Sequence, residues 1–208
     1  MSQNQALGPL FFAGSARLFS WEPASAVITW TDKNGSFGPV NRPTFYAVAD
    51  QATVSSVFLN STGITSISNM DRLPALAAFT TKSNPALKSL DATGCQALTS
   101  LKASSNSTLS QLIVDNCPLL ALLAFNATQV ASVEIGRCPL LLSLSGSGCP
   151  LSVLQVNAFL AQLAAFGLSG GAVLLNLLSP HTPPSVGPPD GIAAKATLIS
   201  RSWTVTTD

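Results

Sequence analysis

Leucine-type residues recur in L-x-x-L pairs about every 11 residues between Val54 and Leu154. A unit of this length cannot bury its own apolar face, so successive units must stack and share one elongated core. A short fixed period is typical of a solenoid. The pairs are Leu76/Phe79, Leu87/Leu90, Leu98/Leu101, Leu109/Leu112, Leu120/Leu123, Val130/Val133 and Leu141/Leu144. The period therefore predicts an elongated protein whose extended surface is available for interaction.

The register of the repeat becomes clear when the pairs are counted in steps of two. Steps of 22, 22 and 21 residues connect Leu76, Leu98, Leu120 and Leu141, so we predict about five coils of 21 to 22 residues within residues 51–156. Each coil would hold a strand whose first, fourth and sixth side chains point inward. Such strands pair into a parallel β-sheet.

A small polar or sulfur side chain occurs eight or nine positions into each half coil. We predict that these side chains stack at the turns and bond to backbone groups of adjacent coils. The cysteines among them are separated by 22, 21 and 11 residues, intervals that the coil itself sets, and no C-x-x-C pair suggests zinc. Their expected role is structural. The side chains are Asn84, Cys95, Asn106, Cys117, Asn126, Cys138 and Cys149.

The amino-acid sequence of the repeats resembles that of known solenoids. Residues 54–67 fit L-x-x-L-x-L-x-x-N-x-I-x-x-I with Thr62 at the Asn position, which looks like the leucine-rich repeat. The stretch NPALKSLDATGCQALTSLKASSNSTL, with CPLLALL and CPLLLSL, resembles bacterial internalin-type surface proteins and related bacteriophage repeats. The resemblance implies a leucine-rich-repeat solenoid with a cap at each end. The alternative is a two-sided β-solenoid, because the second half of each coil repeats the strand pattern instead of a helical one.

Residues 1–50 carry eight of the fourteen aromatic residues and lack the repeat. SAVITWTD and TFYAVAD have strand character, and an Asn-Gly turn signal at Asn34 lies between them. We predict a small β N-terminal cap over the first coil. Phe11 and Phe12 precede these strands, and a second interpretation is an aromatic docking arm that inserts into a neighbouring subunit.

Residues 157–208 predict an α/β C-terminal cap, and the resemblance extends to this segment after Ala158. Asn157 is expected to cap a helix that ends at Gly167, and a strand from Ala172 to Leu178 follows. A Pro-rich loop comes next, then a helix capped by Asp190 and a strand over residues 203–205.

Only 9% of the 208 residues are charged, and the formal net charge is +1. Near-zero net charge favours association, which suits a subunit of an assembly. No basic stripe is present to neutralise phosphates, so nucleic-acid binding is not expected. No apolar run approaches about 18 residues, which predicts no membrane span. The N-terminal stretch also lacks the pattern of an ordinary signal peptide.

The outward positions of the predicted strands are the expected binding surface. Most are small, and we expect Phe58, Leu122 and Leu142 to form an apolar patch, while the opposite face is more charged. With the aromatic arm and two basic positions, the candidate binding residues are Phe11, Phe12, Phe58, Lys82, Lys102, Leu122 and Leu142.

Catalytic patterns are sparse in this sequence. The nine acidic residues are scattered, and His181 lies in the Pro-rich loop without a matching nucleophile or ligand. No G-x-S-x-G, H-E-x-x-H or phosphate-loop pattern occurs. We therefore predict a non-enzymatic protein with no catalytic residue, cofactor or metal.

Surface-type repeats, low charge and no recognisable export signal together favour a structural or attachment protein of a bacteriophage virion. Its expected partners are other protein subunits, including further copies of itself in a homo-oligomer, and a host surface receptor. The alternative is a bacterial cell-surface adhesin, located outside the cell, that recognises a host protein or glycan on the repeat sheet.

Overall fold

The computed structural model describes residues 20–22, 28–32, 35–40, 53–60 and 64–208. The strands before the helical region are β1 Ser20–Glu22, β2 Ile28–Asp32, β3 Gly35–Val40, β4 Ser56–Asn60, β5 Ser66–Ser68, β6 Ala78–Lys82, β7 Ser89–Asp91, β8 Ser100–Lys102, β9 Gln111–Ile113, β10 Leu122–Ala124 and β11 Ser143–Ser145. The elements α1 Val153–Phe166, β12 Ala172–Leu175, α2 Gly191–Ser200 and β13 Thr204–Thr207 follow, and a 3₁₀ turn spans Met70–Arg72.

The repeats form a parallel-strand β-solenoid of about four turns with a spacing of about 22 residues. Its larger sheet, the main sheet, has the order β13-β12-β11-β10-β8-β6-β4-β2-β3 among the described residues. Register aligns one inward side chain from each coil, and all of them are buried, as the period predicted. This row consists of Val57, Phe79, Leu101, Leu123 and Leu144.

The second halves of the first three coils also form strands, as the two-sided alternative predicted. Strands β5, β7 and β9 pair in parallel and, with β1, make a second sheet in the order β1-β5-β7-β9. The fourth coil still buries Val133 and Ile135 on this side, but residues 131–135 form no strand. The second sheet therefore ends with the third coil. After β11 the helix α1 takes the place of the second half of the fifth coil, so there are about four complete turns instead of the predicted five.

The segment before the repeat pairs with the first coil on both sides. Strand β2 is antiparallel to β3 and to β4, and β1 is antiparallel to β5. Strand β3, which was not predicted, pairs with β2 in the position expected for the strand in TFYAVAD. Residues 33–34 of the predicted turn lie outside the described part of the chain. The predicted strand in TFYAVAD, residues 44–50, lies outside it as well.

The C-terminal segment extends the main sheet with β12 and β13, both parallel to their neighbours. The helix α1 begins earlier than predicted, because Ser152 caps it by accepting a hydrogen bond from the Gln155 N–H at 3.2 Å. The prediction that Asn157 caps this helix is therefore wrong, since Asn157 lies buried inside it.

The other ends of the C-terminal elements follow ordinary helix chemistry. The helix α1 stops at Gly167, which adopts φ 76, and Asp190 caps α2 by accepting from the Ala193 N–H at 2.9 Å, as predicted. Strand β12 ends at Leu175 instead of Leu178, and β13 starts one residue later than predicted.

One hydrophobic core runs through the described residues from Val54 to Trp203. At its C-terminal end the rings of Phe125 and Phe159 lie 6.3 Å apart and join the fourth coil to α1. Gln155 of α1 also donates to the Val133 carbonyl at 3.4 Å, so the helix covers the side that the second sheet leaves open. No helix among the described residues is both long and apolar enough to cross a membrane.

Candidate interaction surface

The outer face of the main sheet is built from the residues that alternate with the buried rows. Its side chains lie in two straight lines, because the strands pair without a register shift from β4 to β13. Most members are Ser, Thr or Ala, so the face is flat. One line is Ser56, Ala78, Ser100, Leu122, Ser143, Ala172 and Thr204, and the other is Phe58, Thr80, Lys102, Ala124, Ser145, Leu174 and Thr206.

The N-terminal half of this face holds three of the predicted binding residues. Phe58 is 46% exposed and lies in one line with Lys102, with Thr80 of β6 between them. Lys82 lies two residues beyond Thr80 on β6, and both lysines are exposed. Neither lysine forms an ion pair within the described residues, where the two salt bridges are Arg72–Asp71 and Arg137–Asp115. The structure thus groups Phe58, Lys82 and Lys102 on adjacent strands.

The predicted apolar patch is divided between two places. Leu122 pairs with Ser143, the neighbour of Leu142, and the Leu142 N–H donates to the Ala121 carbonyl at 2.9 Å, so these two leucines lie on adjacent coils. Phe58 lies three strand spacings from Leu122, or about 14 Å away along the sheet. The expectation that all three share one patch was wrong, because only Leu122 and Leu142 are close. Phe11 and Phe12 lie outside the described residues.

Two further exposed leucines lie beside this pair and were not among the predicted binding residues. Leu119 and Leu140 occupy equivalent positions in successive coils, each directly before a buried leucine, and each is 45% exposed. The signal that could have identified them is the doubled leucine in the two CPLL sequences, since only one leucine of each doublet can point inward.

The turns after the main sheet contain a buried polar ladder that holds the strands of this surface in line. The Asn106 side chain accepts from the Asn84 N–H at 2.9 Å and donates to the carbonyls of Thr81 and Ala103 at 3.2 and 2.8 Å. In the next coil the buried member is Thr128, which donates to the Phe125 carbonyl at 2.8 Å. Asn126, which was predicted for this place, is only half-buried, although its side-chain oxygen accepts from the Ser147 N–H of the next coil at 2.9 Å as expected.

The turns after the second sheet contain three of the four free cysteines in a ladder of their own. The thiols of Cys117 and Cys138 donate to the carbonyls of Ala92 and Val114 one coil back, at 3.1 and 3.4 Å. Cys149 instead ends the polar ladder of the other turns, with its thiol 3.1 Å from the Phe125 carbonyl. The predicted single ladder is therefore two ladders, one at each turn of the coil.

Burial keeps these thiols protonated. Loss of hydration raises the pKa of Cys117 to about 11 and that of Cys138 to about 12, and it raises the pKa of Cys95 and Cys149 as well. A protonated buried thiol is a poor nucleophile and a poor metal ligand. Within the described part of the chain, no group of three or more His, Cys, Asp or Glu side chains is placed to hold a metal ion.

The second sheet presents a more polar and acidic surface. A shallow groove of about 230 Å³ lies between β9 and residues 132–134, with Asp115 and Glu134 in its lining. Asp115 pairs with Arg137 at 3.5 Å, and both side chains are largely exposed. His181 is exposed in the Pro-rich loop. This side was predicted to be the more charged face, and its charged side chains are spread along its length.

The chain matched no protein-family model, no curated protein and no solved structure.

Proposed function

We propose that this protein is a non-enzymatic structural or attachment protein of a bacteriophage virion, which acts by protein–protein interaction and assembles with further copies of itself. The observation that carries this proposal is the main sheet, whose described residues form a long flat face of mostly small side chains. Such a face suits contact with another macromolecule over a wide area better than enclosure of a small ligand.

The repeat pattern and the composition support the same proposal. The repeat sequence, which resembles internalin-type and bacteriophage repeats, favours the leucine-rich-repeat class of solenoid, with residues 1–50 and 157–208 as its caps. In keeping with this, the described strands β1 and β2 flank the first coil, and α1, α2 and β13 follow the last coil. Low charge fits a subunit that remains within an assembly. Location in the virion follows from this proposal.

The experiment that tests this role is the native mass of the full chain by light scattering at several concentrations, with electron microscopy of the same sample. We expect rings, lattices or oligomers of defined stoichiometry. A monomer of 21.4 kDa at every concentration would contradict an assembly role.

A second candidate function is a cell-surface binding module for a host protein or glycan. It is favoured by the exposed Phe58 beside two lysines that lack an ion-pair partner among the described residues. Aromatic and cationic side chains on one flat face suit an anionic ligand such as an acidic glycan. Binding of acidic glycans that Lys82→Glu/Lys102→Glu abolishes, while Lys195→Glu does not, would support this function.

A further inference from the structure

Four exposed or half-buried leucines form an apolar ridge, the leucine ridge, where the chain passes from the second sheet into the main sheet. Leu119 and Leu140 are each 45% exposed, Leu142 is 39% exposed, and Leu122 is half-buried. They occupy two adjacent coils, because β10 pairs with β11 and the Leu142 N–H bonds to the Ala121 carbonyl.

The repeat itself shows that the fold does not require leucine at these places. The backbone bond from Leu142 to Ala121 has the same form as the bonds from Ala121 to Thr99 and from Thr99 to Ala77, at 2.9 Å in each case. The preceding coil has Ala97 and Ser100 where the ridge has Leu119 and Leu122. Small side chains therefore satisfy the same backbone geometry. Large apolar side chains that are exposed, clustered and not needed for folding indicate a contact surface.

The chain contains an apolar segment with complementary chemistry. Residues 1–19 lie outside the described part of the chain, contain Leu10, Phe11 and Phe12 in succession, and carry Arg17 as their single charged residue. The ridge consists of leucines alone. Burial of two phenylalanine side chains against leucines is favourable, and no charge has to be desolvated.

The strand that follows this segment, β1, lies at the end of the solenoid opposite the leucine ridge. Strand β1 is an edge strand beside the first coil, and its first residue, Ser20, is opposite Ser68 at the end of β5. The chain thus enters β1 at the corner that follows the second sheet, and the leucine ridge occupies the same corner three to four coils further along. A segment at one end and a matching surface towards the other are the two halves of a head-to-tail contact.

We propose that Leu10–Phe12 of one copy dock on the leucine ridge of the next copy. The inference rests on the assembly role proposed above and names the contact that would build the assembly. The seven residues between Phe12 and Ser20 span up to about 25 Å when extended. The ridge of the same copy is three to four coils, or about 14 to 19 Å, from β1, so the cysteine test below distinguishes docking on the next copy from docking on the same copy.

The first test is complementation between two full-length variants. Phe11→Ser/Phe12→Ser lacks the docking segment, and Leu119→Ser/Leu140→Ser lacks the ridge. Each variant alone should associate at least about tenfold more weakly than the unchanged protein. An equimolar mixture should form a 1:1 complex of about twice 21.4 kDa, because only one segment and one ridge remain to meet. Leu177→Ser, at a 77% exposed position elsewhere, is the matched control and should associate normally.

A second test determines whether the docked segment belongs to the same copy as the ridge or to a neighbouring copy. Phe12→Cys/Leu140→Cys in the full chain should form a ladder of disulfide-linked oligomers on oxidation, and the buried native thiols should stay unreacted. Disulfides within single chains would overturn the proposal, since the segment would then cover its own ridge. A mixture that stays monomeric would overturn it too. An ordered assembly that both variants still join would overturn this contact while leaving the assembly role in place.

Discussion

At the scale of single residues, the polar side chains at the turns connect one coil to the next. Asn106 bonds to three backbone groups, two of them in the preceding coil, and its side chain is fully buried. Water cannot reach the backbone groups of a tight buried turn. The side-chain amide of Asn106 therefore makes the hydrogen bonds that water would make at an exposed turn. The repeat sequence predicted this inward polar side chain correctly in the second and third coils, at Asn84 and Asn106. In the fourth coil it predicted Asn126, although Thr128 is the residue that reaches the interior.

Replacement of Asn106 tests the polar ladder. We expect Asn106→Leu to lower the free energy of unfolding by roughly 2 to 4 kcal/mol, because it removes three hydrogen bonds to backbone groups at a buried turn. Urea denaturation measures the change. Ser107→Leu is the control, with an expected loss below about 0.5 kcal/mol, since Ser107 is the exposed neighbour of Asn106 in the same turn. Equal losses in both variants would show that Asn106 has no special role.

The buried thiols predict a loss of stability in alkaline solution. Folding raises their pKa, so the folded protein keeps protons that the unfolded chain releases above about pH 8.5. The stabilisation is complete below that pH and is lost as the pH rises towards the folded values of about 11 for Cys117 and about 12 for Cys138. The free energy of unfolding should fall by up to about 1.4 kcal/mol per pH unit for each thiol.

Urea denaturation between pH 7 and 10.5 measures this dependence. Cys117→Ser/Cys138→Ser removes two titrating groups and should give a flatter profile than the unchanged protein. All other groups are common to both proteins, so the difference between the profiles isolates the thiols. Parallel profiles would mean that these thiols are not protected by burial.

At the scale of elements, the helix α1 shows where local signals compete. Ser152 and Asn157 both carry good N-cap side chains, and the local sequence favoured Asn157 because the periodic apolar positions begin just after it. The structure uses Ser152, and Asn157 instead bonds to the Pro-rich loop 28 to 32 residues away. Its amide donates to Ser185 and Pro189, and its oxygen accepts from the Ser185 N–H. A contact this distant leaves no local pattern in the sequence.

Asn157 is therefore expected to hold the Pro-rich loop against α1. In Asn157→Ala, amide hydrogen exchange of residues 180–191 should become at least about tenfold faster, because the acceptor of the Ser185 N–H is lost. Exchange followed by mass spectrometry measures this. Gln162→Ala, a half-buried position on the same helix, should leave the loop unchanged. Unchanged protection in Asn157→Ala would show that other contacts hold the loop.

At the scale of the whole molecule, one continuous core connects the coils to the C-terminal segment. Neighbouring coils stabilise one another through shared buried rows, so a defect in the middle should be felt at both ends. The faces of the solenoid differ in character. The main sheet is flat and mostly uncharged, whereas Asp91, Asp115 and Glu134 lie on the side of the second sheet. Interaction is therefore expected on the main sheet and along the leucine ridge.

Removal of an inward leucine tests both the register and the continuity of the core. Leu101→Ala or Leu123→Ala should lower the free energy of unfolding by about 2 to 5 kcal/mol, since each leaves a cavity in a stacked row. Circular dichroism and tryptophan fluorescence should report one coincident transition. Leu177→Ala, at an exposed position, should change stability by less than about 0.5 kcal/mol. Unchanged stability in both core variants would refute the register.

The sequence by itself determined the solenoid, the inward rows such as Leu98, Leu101 and Ala103, and the cap of α2 by Asp190. These features depend on side chains that recur or act within a few residues, so local order is enough to encode them. The tertiary structure decided that the second sheet ends at β9, that Thr128 takes the polar place in the fourth coil, and that Asn157 faces the loop. It also set the distance between Phe58 and Leu122, because that distance depends on how three successive coils stack.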